Sequence, residues 1–193
     1  MSRLPHLGAA IPRRGSGVMS LLGRALLAAL GWRVEGEVPN LPKMVIAVGP
    51  HTSNWDFIVG VAAMFALDLR IEFIGKHTLF RGPLGVFMRW IGGIPVDRSN
   101  PKGVVADAVE GFGPVERRIL AIAPAGTRKR GARFKSGFLR IARGAGVPVL
   151  LAALDYGERC VRFGPSFMPG EDIDAELART EAHFAPIRGK RPR

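Results

Sequence analysis

Cysteine is nearly absent from this chain, which has one, Cys160, in 193 residues. A single thiol excludes a disulfide framework and a four-cysteine zinc site, and the four histidines beside it are thin material for a structural metal centre. Tyrosine also occurs once, and aromatic residues make up only 8% of the chain, which leaves few platforms on which nucleobases would stack. Nucleic acid is therefore not an expected partner. No run of ~20 apolar residues is present, so no segment is expected to span a bilayer. The best stretch, 18–32, is short and carries Arg24, and 57–67 is shorter still. With Pro5 and Pro12 near the start and no clean small-residue cleavage site, the opening residues do not read as a signal peptide. Repeats and low-complexity tracts are missing as well.

Acid is the other scarcity. Sixteen acidic residues stand against 28 basic ones, a net charge of +12. Such a balance has three readings: nucleic acid, an anionic membrane surface, or an anionic small substrate. Apolar residues at 47% and charged ones at 23% describe a folded domain rather than a disordered basic tail. Length favours one domain, large enough to bury a core without staples.

Residues 1–17 mix Pro, Gly and Arg without periodicity and read as a loose basic arm. From residue 18 the pattern changes. Leu21, Leu22, Ala25, Leu26, Ala29 and Leu30 recur at helical spacing, and Gly31 supplies a stop. The helix either packs on the domain or lies in a membrane interface beside the arm. Short strand-like and helix-like segments then alternate. Strands are expected at 32–37, 43–48, 70–74, 94–96, 118–123, 147–154 and 159–163. Helices are expected at 55–67, 84–91, 101–112, 136–143 and about 171–183. This alternation implies an α/β fold, a mixed and mostly parallel sheet flanked by helices. The last eight residues, 186–193, carry four basic groups and no acid, and read as a frayed basic tail.

Ligands of such sheets sit beyond the carboxyl ends of strands. Two polar clusters follow buried strands in that way. After KMVIAV comes Gly-Pro-His51-Thr-Ser-Asn-Trp-Asp56, a histidine and an aspartate with four residues between them. Asp56 either holds one imidazole nitrogen while the other faces a cleft, or simply caps the helix that follows. As a base, His51 would lack a protein nucleophile, because no Gly-x-Ser-x-Gly elbow exists and Cys160 is remote in sequence. Its task would then be to activate a hydroxyl or amine of a substrate. After RILAIA comes Pro-Ala125-Gly126-Thr127-Arg128, and residues 128–143 hold seven basic groups and no acid. Backbone donors ending in guanidinium suit a phosphate, although a solvated basic face has the same composition. The Gly-Lys-Ser/Thr ending of a Walker loop is absent. Lys76 and Arg98, after two further short strands, offer a third anion site, or Arg98 merely pairs with Asp97.

Taken together, HTSNWD, GKHTLFRGPLGVFMRWIGGIPVDR, APAGTR and GVPVLLAAL resemble the four ordered blocks of the glycerolipid acyltransferases, the 1-acylglycerol-3-phosphate (lysophosphatidate) acyltransferase family. The resemblance covers roughly residues 32–165. It implies a single acyltransferase domain at 32–185, preceded by the arm and a membrane-facing helix over 1–31. It also implies His51 as general base oriented by Asp56, with an acyl thioester of coenzyme A or acyl-carrier protein as donor. The acceptor would be a lysophospholipid-like hydroxyl compound such as lysophosphatidate. Arg98 and Arg128 would hold its phosphate, Gly126 and Thr127 would shape the loop, and Lys76 would help bind the anionic donor. Val147 and Pro148 match the last block, expected near the acyl or acceptor pocket. No metal or organic cofactor is implied. Long-chain acceptors imply peripheral attachment to an anionic membrane surface at its cytoplasmic face.

One position departs from the pattern. The family usually has Glu-Gly-Thr-Arg, and this chain has Ala125 in place of the glutamate. A methyl group accepts no hydrogen bond, so the departure points to a different acceptor or an altered activity. Read as part of a polar loop, position 125 is expected to tolerate a restored glutamate and to gain activity from it. The alternative to an enzyme is a catalytically silent basic domain that binds anionic lipid or nucleic acid.

Overall fold

A computed structural model describes residues 4–97, 99–127 and 132–191. In chain order the elements are α1 (Gly17–Ala29), β1 (Arg33–Glu35), β2 (Lys43–Gly49), α2 (Trp55–Ala66) and β3 (Glu72–Lys76). A 3-10 turn (His77–Phe80) leads into α3 (Gly82–Trp90), followed by β4 (Gly93–Val96), α4 (Pro101–Glu110) and β5 (Arg118–Ile122). The chain closes with α5 (Gly137–Gly144), β6 (Val149–Asp155), β7 (Cys160–Phe167) and α6 (Ile173–Phe184). Each expected segment is present, with ends moved by a few residues. The 3-10 turn was not anticipated from the sequence.

Among the described residues seven strands form one sheet in the order β1-β7-β6-β2-β5-β3-β4. Every neighbouring pair is parallel except β6 with β7. The sheet is thus mixed and mostly parallel, as expected. Its two most apolar runs, KMVIAVG and VLLAALD, become the inner strands β2 and β6, which are covered on both faces. The poorest strand material goes to the edges: β1 is three residues long, and β4 carries Pro95 where a missing N–H breaks no ladder.

Alternation along β2 separates two cores. Met44 and Ile46 face one layer with Leu27 of α1, Val59, Ala62 and Ala63 of α2 and Met88 of α3. Val45 and Ala47 face the other, with Ala108 of α4, Phe138 and Ile141 of α5 and Phe184 of α6. Helices therefore cover both faces of the sheet.

Helix α1 packs in the sense opposite to its periodicity. Its buried positions are Ser20, Gly23 and Leu27, while Val18, Leu21, Leu22 and Leu26 are exposed, Leu21 at 69%. Gly23 makes this possible. A Cβ there would collide with the Ala66 backbone nitrogen and stand 2.7 Å from the Ala62 oxygen, so only glycine lets α1 and α2 approach so closely. Ser20 donates its hydroxyl to the Ala66 carbonyl at 3.1 Å.

The N-terminal arm is not loose from residue 4 onward. Ile11 is fully buried. The Arg14 N–H donates to the Asp68 carbonyl at 2.9 Å, and the Arg70 N–H donates to Pro12 at 3.0 Å. The Arg14 guanidinium donates to the Trp90 carbonyl at 2.6 Å and lies 4.7 Å from the Trp90 ring centroid. Backbone partners this distant in sequence leave no periodic trace, which is why composition alone reads the segment as unstructured.

Candidate active site

Because β2, β5, β3, β4 and β6 run parallel, their carboxyl ends share one edge of the sheet. The first polar cluster leaves β2 there, through a cis Gly49–Pro50 peptide, and enters α2 with Asp56 in its first turn. The turn brings His51 and Asp56 together: Nδ1 lies 3.3 Å from Asp56 Oδ2, with the carboxylate buried and the imidazole side chain 23% exposed. The same Oδ2 accepts the backbone N–H groups of Thr52 at 2.6 Å and Ser53 at 2.8 Å. Asp56 thus contacts the imidazole and does not cap α2, whose N-cap is Asn54. It ties down the amides of the turn, and in doing so it sets the imidazole.

Oδ1 is used by a residue that the sequence reading missed. Tyr156, just past the end of β6, donates its hydroxyl to Asp56 Oδ1 at 2.8 Å. Burial pushes the Asp56 carboxyl up, but His51, the Ser53 amide, Tyr156 and the Thr52 amide outweigh it and hold the group below the usual aspartate value. The carboxylate stays ionised and stabilises a proton placed on His51. Burial first, then the bond to Asp56, raises the Tyr156 phenol, so it remains a donor. Its ring stands edge-on to Trp32, with centroids 4.8 Å apart. The available signal was the sole tyrosine at the exit of a strand next to β2.

With Nδ1 turned to the carboxylate, Nε2 is the imidazole nitrogen left to meet a substrate. The one cysteine does not compete as nucleophile. Burial, then the charge of Glu35, pushes the Cys160 thiol up to about 11, so it is protonated near neutrality.

The second cluster leaves β5, the neighbour of β2. Gly126 takes φ +61° and donates its N–H to Ala123 at 2.9 Å, turning the chain at the sheet edge, with Thr127 next to it. Lys76 is exposed at the end of β3, one strand further out. Arg98 and Arg128 lie outside the described residues. Two expectations need correcting. Ala125 is 2% exposed and belongs to the second core, beside residues such as Phe134 and Phe138, so position 125 is not on a polar surface. Period-two alternation would send position 125 to the first core with Ile119 and Ala121; the turn that ends β5 carries the methyl into the second core instead. Val147 and Pro148 precede β6, and the Pro148 carbonyl accepts from Val45 near the start of β2. They lie at the opposite edge of the sheet from His51. The chain reaches the site just past the last block, at Tyr156.

The C-terminal tail is also placed, at least to residue 191. Tyr156 donates its backbone N–H to the Arg188 carbonyl at 2.8 Å, and the Arg191 N–H donates to Thr52 Oγ1 at 3.4 Å. Lys190 Nζ lies 4.1 Å from the Trp55 ring centroid. Basic composition reads as fraying, but these partners are more than thirty residues away in the chain.

Comparison with known proteins bears on family and fold. A family model described as Acyltransferase matches residues 32–154. A curated 1-acyl-sn-glycerol-3-phosphate acyltransferase of Streptococcus pneumoniae (strain ATCC BAA-255 / R6) is 27% identical over 136 residues, covering 66% of this chain and 50% of that protein. The chain thus spans about half the length of that relative. The crystal structure of the 1-acyl-sn-glycerophosphate (LPA) acyltransferase PlsC from Thermotoga maritima superposes with a TM-score of 0.57 at 17% identity, covering 90% of this chain and 80% of that one. At that identity the likeness is one of fold.

Proposed function

The chain belongs to the Acyltransferase family, and from that premise we propose that it moves a fatty acyl group from a thioester donor to the hydroxyl of a lysophospholipid-like acceptor. The donor is acyl-coenzyme A or acyl-carrier protein, and lysophosphatidate is the first acceptor to try. The observation that carries the reading is the 3.3 Å approach of His51 Nδ1 to a buried, fully bonded Asp56. That contact orients Nε2 as a base, and no protein nucleophile is needed. The acceptor hydroxyl gives its proton to Nε2 while its oxygen bonds to the thioester carbonyl carbon. As the carbonyl re-forms, the C–S bond breaks and the thiolate leaves, taking the proton from His51. Asp56 favours the imidazolium between these two transfers. Arg98 and Arg128 are assigned to the acceptor's phosphate by family resemblance, with Gly126 and Thr127 shaping that loop. Lys76 is assigned in the same way to the anionic donor.

The deciding experiment is thioester consumption with a panel of acceptors. His51→Ala should lower turnover by about a hundredfold to ten-thousandfold, the usual weight of a general base. Turnover untouched by this change would remove His51 from the mechanism. A parent that binds anionic vesicles and consumes no thioester would instead be a silent binding domain.

Peripheral membrane attachment belongs to the same proposal. No helix among the described residues is long and apolar enough to cross a membrane. The exposed stripe Val18, Leu21, Leu22 and Leu26 on α1 is suited to lie in an interface, with Arg24 of the same helix exposed for anionic headgroups. Removing residues 1–31 is a poor test, because Ile11 and Leu27 are core residues. Leu21→Glu with Leu22→Glu touches only exposed positions. It should release the protein from anionic vesicles in co-sedimentation while leaving its melting temperature within a few degrees; undiminished sedimentation would count against α1 as the anchor.

A further inference from the structure

Residues 188–191 hold three cations in four positions, Arg188, Lys190 and Arg191, all exposed. Among the described residues no carboxylate forms an ion pair with any of them. They are nonetheless held in place against the catalytic turn. The Arg188 carbonyl is fixed by the Tyr156 N–H, and the Arg191 N–H is fixed to Thr52, the residue after His51. Gly189 allows the approach: a Cβ there would stand 2.7 Å from Thr52 Cγ2 and 2.8 Å from its Oγ1. Lys190 is parked over the ring of Trp55, the residue before Asp56. A cation held on an aromatic face keeps its charge, and its ammonium protons remain available to an oxygen ligand.

Strand order fixes the side from which these cations approach. Next to β2, which carries the dyad, lies β5 on one side and β6 on the other. The loops bearing Gly126, Thr127 and Lys76 follow β5 and β3, both on the first side. Tyr156, to which the strap formed by residues 188–191 is tied, follows β6 on the second. Two anionic substrates held close together repel each other, so a base that joins them works best with their counter-charges set apart. One flank of His51 is already assigned to an acceptor phosphate. The strap supplies exposed, uncompensated positive charge on the other.

We propose that Arg188, Lys190 and Arg191 form a subsite for the phosphate groups of a pantetheine-linked acyl donor. The inference rests on the acyl-transfer reading; it places the donor's phosphates on the β6 flank and so departs from the assignment of Lys76, on the β3 flank, to the donor. Guanidinium forks and an ammonium suit phosphate oxygens, and coenzyme A and 4′-phosphopantetheine share that chemistry.

The test is the triple variant Arg188→Gln, Lys190→Gln, Arg191→Gln, which leaves every backbone contact and Gly189 in place; an unchanged melting temperature confirms the fold. Binding of coenzyme A and of 4′-phosphopantetheine is measured by calorimetry on parent and variant. At least one of the two ligands should bind about tenfold more weakly to the variant, and the parent's affinity should fall as salt rises. In turnover, kcat/KM for acyl-coenzyme A relative to that for a phosphate-free S-acyl-N-acetylcysteamine should fall by about tenfold or more. A merely structural role would lower both donors together, and that result overturns the subsite. So does equal binding of both ligands to parent and variant, and so does a loss confined to the KM for lysophosphatidate. If the parent turns over no thioester, the acyl-transfer reading fails by itself. The binding comparison still decides the subsite, and a parent that binds neither ligand overturns it.

Discussion

The turns after β2 and after β5 leave adjacent parallel strands at the same edge of the sheet, yet they are held by different forces. The β2 turn is fixed by one buried carboxylate that accepts from two backbone amides and a phenol and faces an imidazole. The β5 turn joins backbone bonds, from Gly126 to Ala123 and from Lys135 to Pro124, to an alanine methyl in the second core and a glycine in the left-handed region. The buried carboxylate ties the geometry of the first to a charge. The buried methyl ties the second to side-chain volume. A single substitution should therefore harm chemistry in one turn and stability in the other.

Asp56→Asn should have the largest effect on that contrast. An amide cannot replace the carboxylate toward two amide donors, a phenol and an imidazole at once, so a buried donor goes unsatisfied and the imidazolium loses its partner. Turnover should fall about a hundredfold or more, with a stability loss of about 1–3 kcal/mol. The Asp56 carboxyl is held below its ordinary value in the folded state, so it contributes stability above the unfolded aspartate value that is lost as pH falls through the lowered one. The variant's stability should accordingly depend less on pH below about 4 than the parent's. A variant that keeps both full rate and the parent's acid sensitivity would break the comparison.

Ala125→Glu tests the other turn. Burial of the methyl reverses the expectation that a glutamate would be accommodated there. Placing a carboxylate among Phe134, Phe138 and their neighbours should cost about 2 kcal/mol or more, read as a fall of several degrees in melting temperature. A glutamate variant that melts with the parent and turns over faster would mean the loop presents position 125 to the acceptor after all.

Tyr156→Phe should have the smallest effect and sharpens the description of the first turn. It removes one hydrogen bond of about 1 kcal/mol to Asp56. Relieved of that donor, the Asp56 carboxyl should rise toward its ordinary value, so less stability is lost on acidification than in the parent, while KM for the acceptor changes little. An unchanged acid dependence of stability would reduce Tyr156 to a packing role.

Legibility in the sequence followed the range of the contacts. The inner strands β2 and β6 were visible because a strand covered on both faces must be apolar throughout, and the helices because their apolar positions recur. His51 and Asp56 were visible because six consecutive residues contain both. Tyr156 was not: its bond to Asp56 spans 100 residues, and the Arg191–Thr52 contact spans 139. No local pattern records either. Helix α1 shows a subtler limit. Periodicity locates its leucine stripe, but only Gly23 and Ser20, through their fit to α2, decide that the stripe faces outward.

The isolation of Cys160 has a practical consequence. Its side chain is fully buried in β7 and its thiol is pushed up to about 11, so thiol-directed reagents should leave the native protein unmodified near neutrality. A cysteine introduced at an exposed position would then be the one reactive handle on the molecule. A fluorophore at position 21 of α1, or at 190 beside Trp55, would report lipid contact or ligand arrival against a silent background.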